Sequence, residues 1–179
     1  AEESTLPEQK KSLTFAEKRK KRSEKKKKKK AKSPSQPQLS SLLEHYQNGR
    51  YGDAEQLALS MTKQFPRHQF SWKVLGAVLQ ETGRISEGLI ASQKAVGLAP
   101  QDAEAHSNLG ITLRDLGRLE EAEASCRQAI SLKPDYAEAH NNLGGALKEL
   151  GRLEEAEASY RQAIALKPDY ADAHINLGN

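Results

Sequence analysis

The sequence predicts an all-α solenoid, a stack of antiparallel helix hairpins preceded by a basic tail. Three observations carry that prediction. Prolines stand at Pro66, Pro100, Pro134 and Pro168, each 34 residues after the last. Glycines keep the same step at Gly49, Gly83, Gly117 and Gly151. Residues 103–136 and 137–170 differ at only seven of 34 positions, so they encode one unit twice. Sequence copied at this interval builds identical supersecondary units, each burying its apolar face against a neighbour.

Taken in order, residues 1–34 read as a disordered lysine-rich tail and linker. Glu17 opens the run EKRKKRSEKKKKKKAK, followed by the proline-containing SPSQPQ. A run of like charge repels itself and has nothing to bury. Residues 1–38 hold fourteen Lys/Arg against five Asp/Glu, while the remainder holds 14 against 19, so the net charge of +4 conceals a basic arm before an acidic array. The arm from Lys18 to Lys32 suits nucleic acid or an anionic surface through charge alone. No aromatic residue interleaves the lysines, so it offers no base-stacking platform. A solvated tail that only aids solubility is the plainer reading.

The array occupies residues 35–179. Residues 35–68 form a degenerate repeat, residues 69–102, 103–136 and 137–170 three fuller ones, and residues 171–179 the opening of a fifth. In the third, Leu109, Leu113 and Leu116 recur at i, i+4 and i+7, the stripe of a first helix. Gly117 follows where a helix ends on a left-handed residue, a conformation glycine adopts without steric cost. Leu119, Ala122, Cys126, Ala129 and Ile130 mark a second helix, with Glu123 before Arg127 as a favourable i,i+4 pair. Pro134 ends it, because proline disfavours helical geometry in the residue before it. Gly110 and Gly144 on first helices, with Ala122 and Ala156 on second helices, are expected at the closest approaches. The final half-repeat is expected to bare Ile175 and Leu177, and the chain reads as a fragment of a longer protein.

Composition excludes several function classes. One cysteine permits no intramolecular disulfide and no multi-cysteine metal cluster. No stretch reaches the ~20 apolar residues of a membrane span, and no signal peptide is visible. A cytosolic or nuclear protein is the simplest reading, and a cytoplasmic location is the expectation. His106, His140 and His174 lie 34 apart, so neighbouring copies sit ~8–10 Å from one another, too far to share one zinc ion at ~2 Å. They read as packing residues. Cys126 reads as buried packing, and Glu120-Glu121 and Glu154-Glu155 as helix-dipole partners at second-helix starts. No phosphate-binding loop or Ser/His/Asp arrangement occurs. No catalytic, cofactor or metal site is expected, and the chain is not read as an enzyme.

The spacing resembles the tetratricopeptide repeat. The matching residues are Trp72, Leu75-Gly76, Gly83, Ala95 and Pro100, then His106, Leu109-Gly110, Gly117, Ala122, Cys126, Ala129 and Pro134. They recur as His140, Leu143-Gly144, Gly151, Ala156, Tyr160, Ala163 and Pro168. The first copy keeps Gly49, Ala54 and Pro66 but has Ser41-Leu42 in place of Leu-Gly. The resemblance implies a right-handed superhelix with first helices lining a concave face that binds protein or peptide. It places Asn108, Asn142 and Asn176 on that face as a ladder able to hydrogen-bond an extended peptide backbone, or alternatively to brace adjacent helices. The same register places Lys73, Ser107, Ile111, Arg114, Asn141 and Lys148 in the groove, beside Phe70, Ala77, Gln80, Glu81 and Glu104. Chaperone-binding members use a Lys and an Asn four residues apart for a terminal carboxylate. Here Ala77 follows Lys73 at that spacing, so that clamp is not expected. The leading expectation is a peptide-binding scaffold. The alternative is a non-catalytic substrate-recruiting array of a larger transferase, since the AEAHNNLG…LKPDY copies are also similar to the repeats of O-linked N-acetylglucosamine transferases and to arrays that precede sulfotransferase domains.

Overall fold

The computed structural model describes Thr14 and residues 33–178. The expected lysine-rich tail over residues 1–34, and its contact with nucleic acid through residues 18–32, therefore lie almost wholly outside the described residues. Among the described residues there are nine helices and no strand: α1 (Gln36–Gln47), α2 (Tyr51–Gln64), α3 (Gln69–Glu81), α4 (Ile85–Leu98), α5 (Ala103–Asp115), α6 (Leu119–Leu132), α7 (Ala137–Glu149), α8 (Leu153–Leu166) and α9 (Ala171–Gly178). None is long and apolar enough to cross a membrane.

Two turn chemistries alternate along the chain. Within a hairpin, Gly49, Gly83, Gly117 and Gly151 take φ of 69°, 76°, 71° and 76°. At Gly117 the glycine N–H donates to the Arg114 carbonyl at 2.8 Å, and the Arg118 N–H reaches back to Leu113 at 2.9 Å. This is the paired closure of a Schellman end, which satisfies carbonyls the helix leaves open. Between hairpins, Phe65, Ala99, Lys133 and Lys167 leave the helical region, with φ of −131° to −142° and ψ of 64° to 89°, as the proline that follows each favours. Each following proline carbonyl then takes a ring N–H from six residues onward: Trp72 at 2.9 Å, His106 at 3.0 Å, His140 at 2.9 Å and His174 at 2.8 Å. That bond assigns the histidine ladder a structural role and fixes Nε2 as its donor.

Small residues let the helices of each hairpin meet. A Cβ on Gly110 would lie 2.5 Å from Cys126 Sγ and 3.3 Å from the Ala122 carbonyl. One on Gly144 would lie 2.6 Å from the Tyr160 ring. Gly76 is closed in the same way by Ser92 and Gly88. The core runs along the stack as linked clusters, from Leu42, Met61 and Val78 through Leu113 and Ala122 to Leu147 and Tyr160. Ile175 is 61% exposed, but Leu177, expected bare, packs partly buried against the Tyr160 cluster.

Glu123 keeps its expected i,i+4 pairing with Arg127 and adds a second partner. It accepts Arg127 of its own helix at 2.9 Å and Arg152 of the next hairpin at 2.8 Å, so it joins repeats. Arg84 does the same with Glu55 one hairpin earlier. Both of these inter-repeat pairs are 29 residues apart. The equivalent partner of Arg118 is Leu89, and there the link is missing.

Each helix packs on its neighbours in sequence. In addition α1 meets α3, α3 meets α5, α5 meets α7 and α7 meets α9, whereas no second helix contacts another among the described residues. First helices that crowd together while second helices splay apart bend the stack, and the first helices form its inner surface.

Candidate peptide groove on the first helices

The inner surface is built from one face of each first helix. On α3 that face is Phe70, Lys73, Val74, Ala77, Gln80 and Glu81, at i, i+3, i+4, i+7, i+10 and i+11. Glu104, Asn108 and Ile111 extend it on α5, and Leu43 and Tyr46 close it from α1. Together they enclose an open hollow of about 210 Å³, apolar at its walls and polar at its rim. Tyr46 stands against Tyr51 with ring centroids 6.1 Å apart, which holds its ring on the α1 side.

Lys73 is anchored inside the protein. Its side chain is only 12% exposed, with Nζ 2.7 Å from Glu104 and 3.3 Å from Asp102. It also lies 5.9 Å from the centre of the Phe70 ring. Asp102 caps α5, accepting the backbone N–H groups of Glu104 and Ala105, and takes the Gln69 amide at 2.7 Å. Burial pushes the Asp102 carboxyl up, but Lys73 and these hydrogen bonds outweigh it and hold it below its ordinary value.

The three asparagines divide into two roles. Asn142 Nδ2 donates to Ser107 Oγ at 2.9 Å, and Asn176 Nδ2 donates to Asn141 Oδ1 at 3.0 Å. Both bonds tie one first helix to the previous one. Ser107 and Asn141 are 1% and 7% exposed, so they face a neighbouring helix rather than the open groove. Tyr136 interacts with Ser107 and Tyr170 with Asn141, and burial, ahead of nearby carboxylates, pushes the Tyr136 hydroxyl up to about 12. Asn108 is different. Its backbone carbonyl accepts Thr112 Oγ1 at 3.0 Å, while its side-chain amide has no hydrogen-bond partner among the described residues and opens into the hollow.

The other expected groove residues fall in distinct places. Ile111 forms a wall of the hollow. Arg114 lies over Gly145 and pairs with Asp115 at 3.3 Å and Glu149 at 3.5 Å. Lys148 is exposed beside a smaller hollow of about 190 Å³ with Tyr160, Asn176 and Leu177, some distance along the stack. Leu43 and Tyr46 were missed, although a step of 34 aligns Leu43 with Ala77 and Ile111, and Tyr46 with Gln80 and Arg114. Cys126 is buried, and that burial pushes its thiol up to about 12, which leaves little thiolate at neutral pH. Among the described residues no cluster of His, Cys, Asp and Glu could hold a metal ion.

Residues 101–169 match the family model described as tetratricopeptide repeat. No curated protein matches the chain. Among solved structures, the chain is 23% identical to TTC0263, a thermophilic TPR protein of Thermus thermophilus, with a TM-score of 0.68 over 79% of this chain and 78% of that one. It is 24% identical to YrrB, described as a TPR protein with an unusual peptide-binding site, with a TM-score of 0.67 over 75% and 70%. It is 24% identical to the first TPR of Spaghetti (RPAP3) bound to the HSP90 peptide SRMEEVD, with a TM-score of 0.59 over 62% and 87%. At these identities the likeness establishes the fold.

Proposed function

Because residues 101–169 match the tetratricopeptide repeat and the described helices keep its 34-residue step, we propose that the chain is a non-catalytic scaffold that binds an extended peptide along its first helices. The observation that carries this reading is the open hollow between α1, α3 and α5, with an amide on Asn108 that no described residue satisfies. A peptide amide group there gains a hydrogen bond without breaking one in the protein. The structural neighbours YrrB and RPAP3, whose descriptions name peptides, give the reading its precedent.

Within this reading Asn108 and Ile111 touch the ligand, and Lys73 sets the electrostatics beneath it. Arg114 and Lys148 extend the track toward α7. Ser107, Asn141, Asn142 and Asn176 act indirectly, by holding successive first helices in register. The same groove would serve a substrate-recruiting array of a transferase, the reading favoured by the asparagines at 108, 142 and 176.

Ile111→Arg fills the hollow from its half-buried wall, and Asn108→Ala removes the free amide. With labelled peptides selected on the wild-type chain, Ile111→Arg is expected to weaken binding by more than about tenfold and Asn108→Ala by about three- to tenfold. Unchanged far-UV circular dichroism would accompany both losses. Unchanged affinity in both variants would place the binding surface elsewhere.

A further inference from the structure

We propose that the hollow between α1, α3 and α5 selects a cationic side chain, so that the partner is an extended peptide carrying Lys or Arg between apolar residues. The inference rests on the peptide-groove reading above and adds the chemistry of the occupant.

Charge decides the sign. Among the described residues the only cation lining the hollow is Lys73, and it has none of its charge to spare. Glu104 and Asp102 hold its ammonium, and the Phe70 ring lies on a further side. An incoming carboxylate would meet a lysine already neutralised and two nearby glutamates. Glu81, on the rim, has no ion-pair partner among the described residues. The side chain of Glu104 is 54% exposed, so its carboxylate is also open to a ligand. The two carboxylates stand at opposite ends of the hollow, Glu81 in the last turn of α3 and Glu104 in the first turn of α5. A ligand ammonium or guanidinium at either carboxylate replaces its hydration with charge-assisted hydrogen bonds.

Shape supports the same occupant. The walls are apolar carbon from Leu43, Val74, Ala77 and Ile111. A lysine or arginine buries its methylene stem on such a surface while its head stays at a polar edge. The rim then supplies a glutamate for the head at either end, and Asn108, one helical turn from Glu104, supplies a backbone contact. A glutamate side chain is shorter and finds the wrong charge at the edge, and a leucine uses the walls but leaves the carboxylates unused.

The test pans a phage-displayed library of random peptides, each about twelve residues long, on the intact chain and, in parallel, on Glu81→Gln and Glu81→Lys. Glu81 is exposed, and circular dichroism verifies that both variants are folded. Peptides recovered on the wild type are expected to carry Lys or Arg beside apolar residues about three- to tenfold above library frequency, the gain of a half-exposed ion pair. Glu81→Gln should reduce that enrichment, and Glu81→Lys should abolish it or shift it to Asp and Glu. Recovered peptides with no cationic enrichment, or enriched in acidic residues on the wild type, would overturn this inference and leave the peptide groove standing. Recovery no better than on bare support would overturn both.

Discussion

Asn108 and Asn142 occupy equivalent positions 34 residues apart, yet one opens to solvent and the other braces a helix. The difference lies in the residue 35 positions earlier. Asn142 finds Ser107 there and Asn176 finds Asn141, both able to accept a hydrogen bond. Asn108 finds Lys73, which has no acceptor and is committed to Asp102 and Glu104. The ladder was legible in the sequence, but its division was not read there. A single-repeat view hides it, because the deciding partner belongs to the previous repeat. The glycines separate in the same way. Gly144 faces the Tyr160 ring, whereas Gly97, late in α4, has nothing within 4 Å of an added Cβ. Gly144→Ala should therefore destabilise by ~1–3 kcal/mol through overpacking, less whatever helix propensity returns. Gly97→Ala should stabilise by ~0.5–1 kcal/mol, since alanine restricts the unfolded chain and favours the helix. Urea unfolding midpoints that move in opposite directions confirm the contrast; equal shifts would show that the close approach at Gly144 relaxes freely.

At the scale of the element, helix limits were the most legible feature. A glycine in the left-handed region and a proline after a residue that has left the helical region are local requirements, and both recur at every step. What joins one hairpin to the next was less legible. Glu123 reads locally as an i,i+4 partner of Arg127, and its second bond, to Arg152, depends on the packing of α6 against the next hairpin. Asp102 likewise caps α5 while holding Gln69 and Lys73 of α3. Burial acts to raise both carboxyls, yet their cationic and hydrogen-bond partners win, so both are held below their ordinary values. A carboxyl depressed in the folded state adds stability in full above its unfolded pKa, near ~4. That stability drains away as pH falls through the lower folded value. Thermal unfolding should accordingly show a midpoint that is steady from neutrality to about pH 5 and drops below about pH 4. Asp102→Asn should flatten part of that drop. An acid limb unchanged by the substitution would remove Asp102 from the cause.

On the scale of the whole array, curvature turns a periodic sequence into a site. No residue of the hollow is unusual in its own repeat; the hollow exists because α1, α3 and α5 approach one another while the second helices diverge. The period made the stack legible, and Phe70, Lys73, Ala77, Glu104 and Ile111, which the register groups, line one hollow. The α1 wall stayed hidden because residues 35–68 lack the Leu-Gly pair that fixes the register of the other copies. Polarity was legible only in outline, since the neutralisation of Lys73 depends on how Asp102 and Glu104 are brought to it from beyond its own hairpin. The most direct measurement is a titration of the isotopically labelled chain with a selected peptide, followed by amide chemical shifts. The account predicts that the largest shifts fall on α1, α3 and α5, around Tyr46, Ala77, Glu81, Asn108 and Ile111. Shifts gathered instead on α2, α4, α6 and α8 would contradict it.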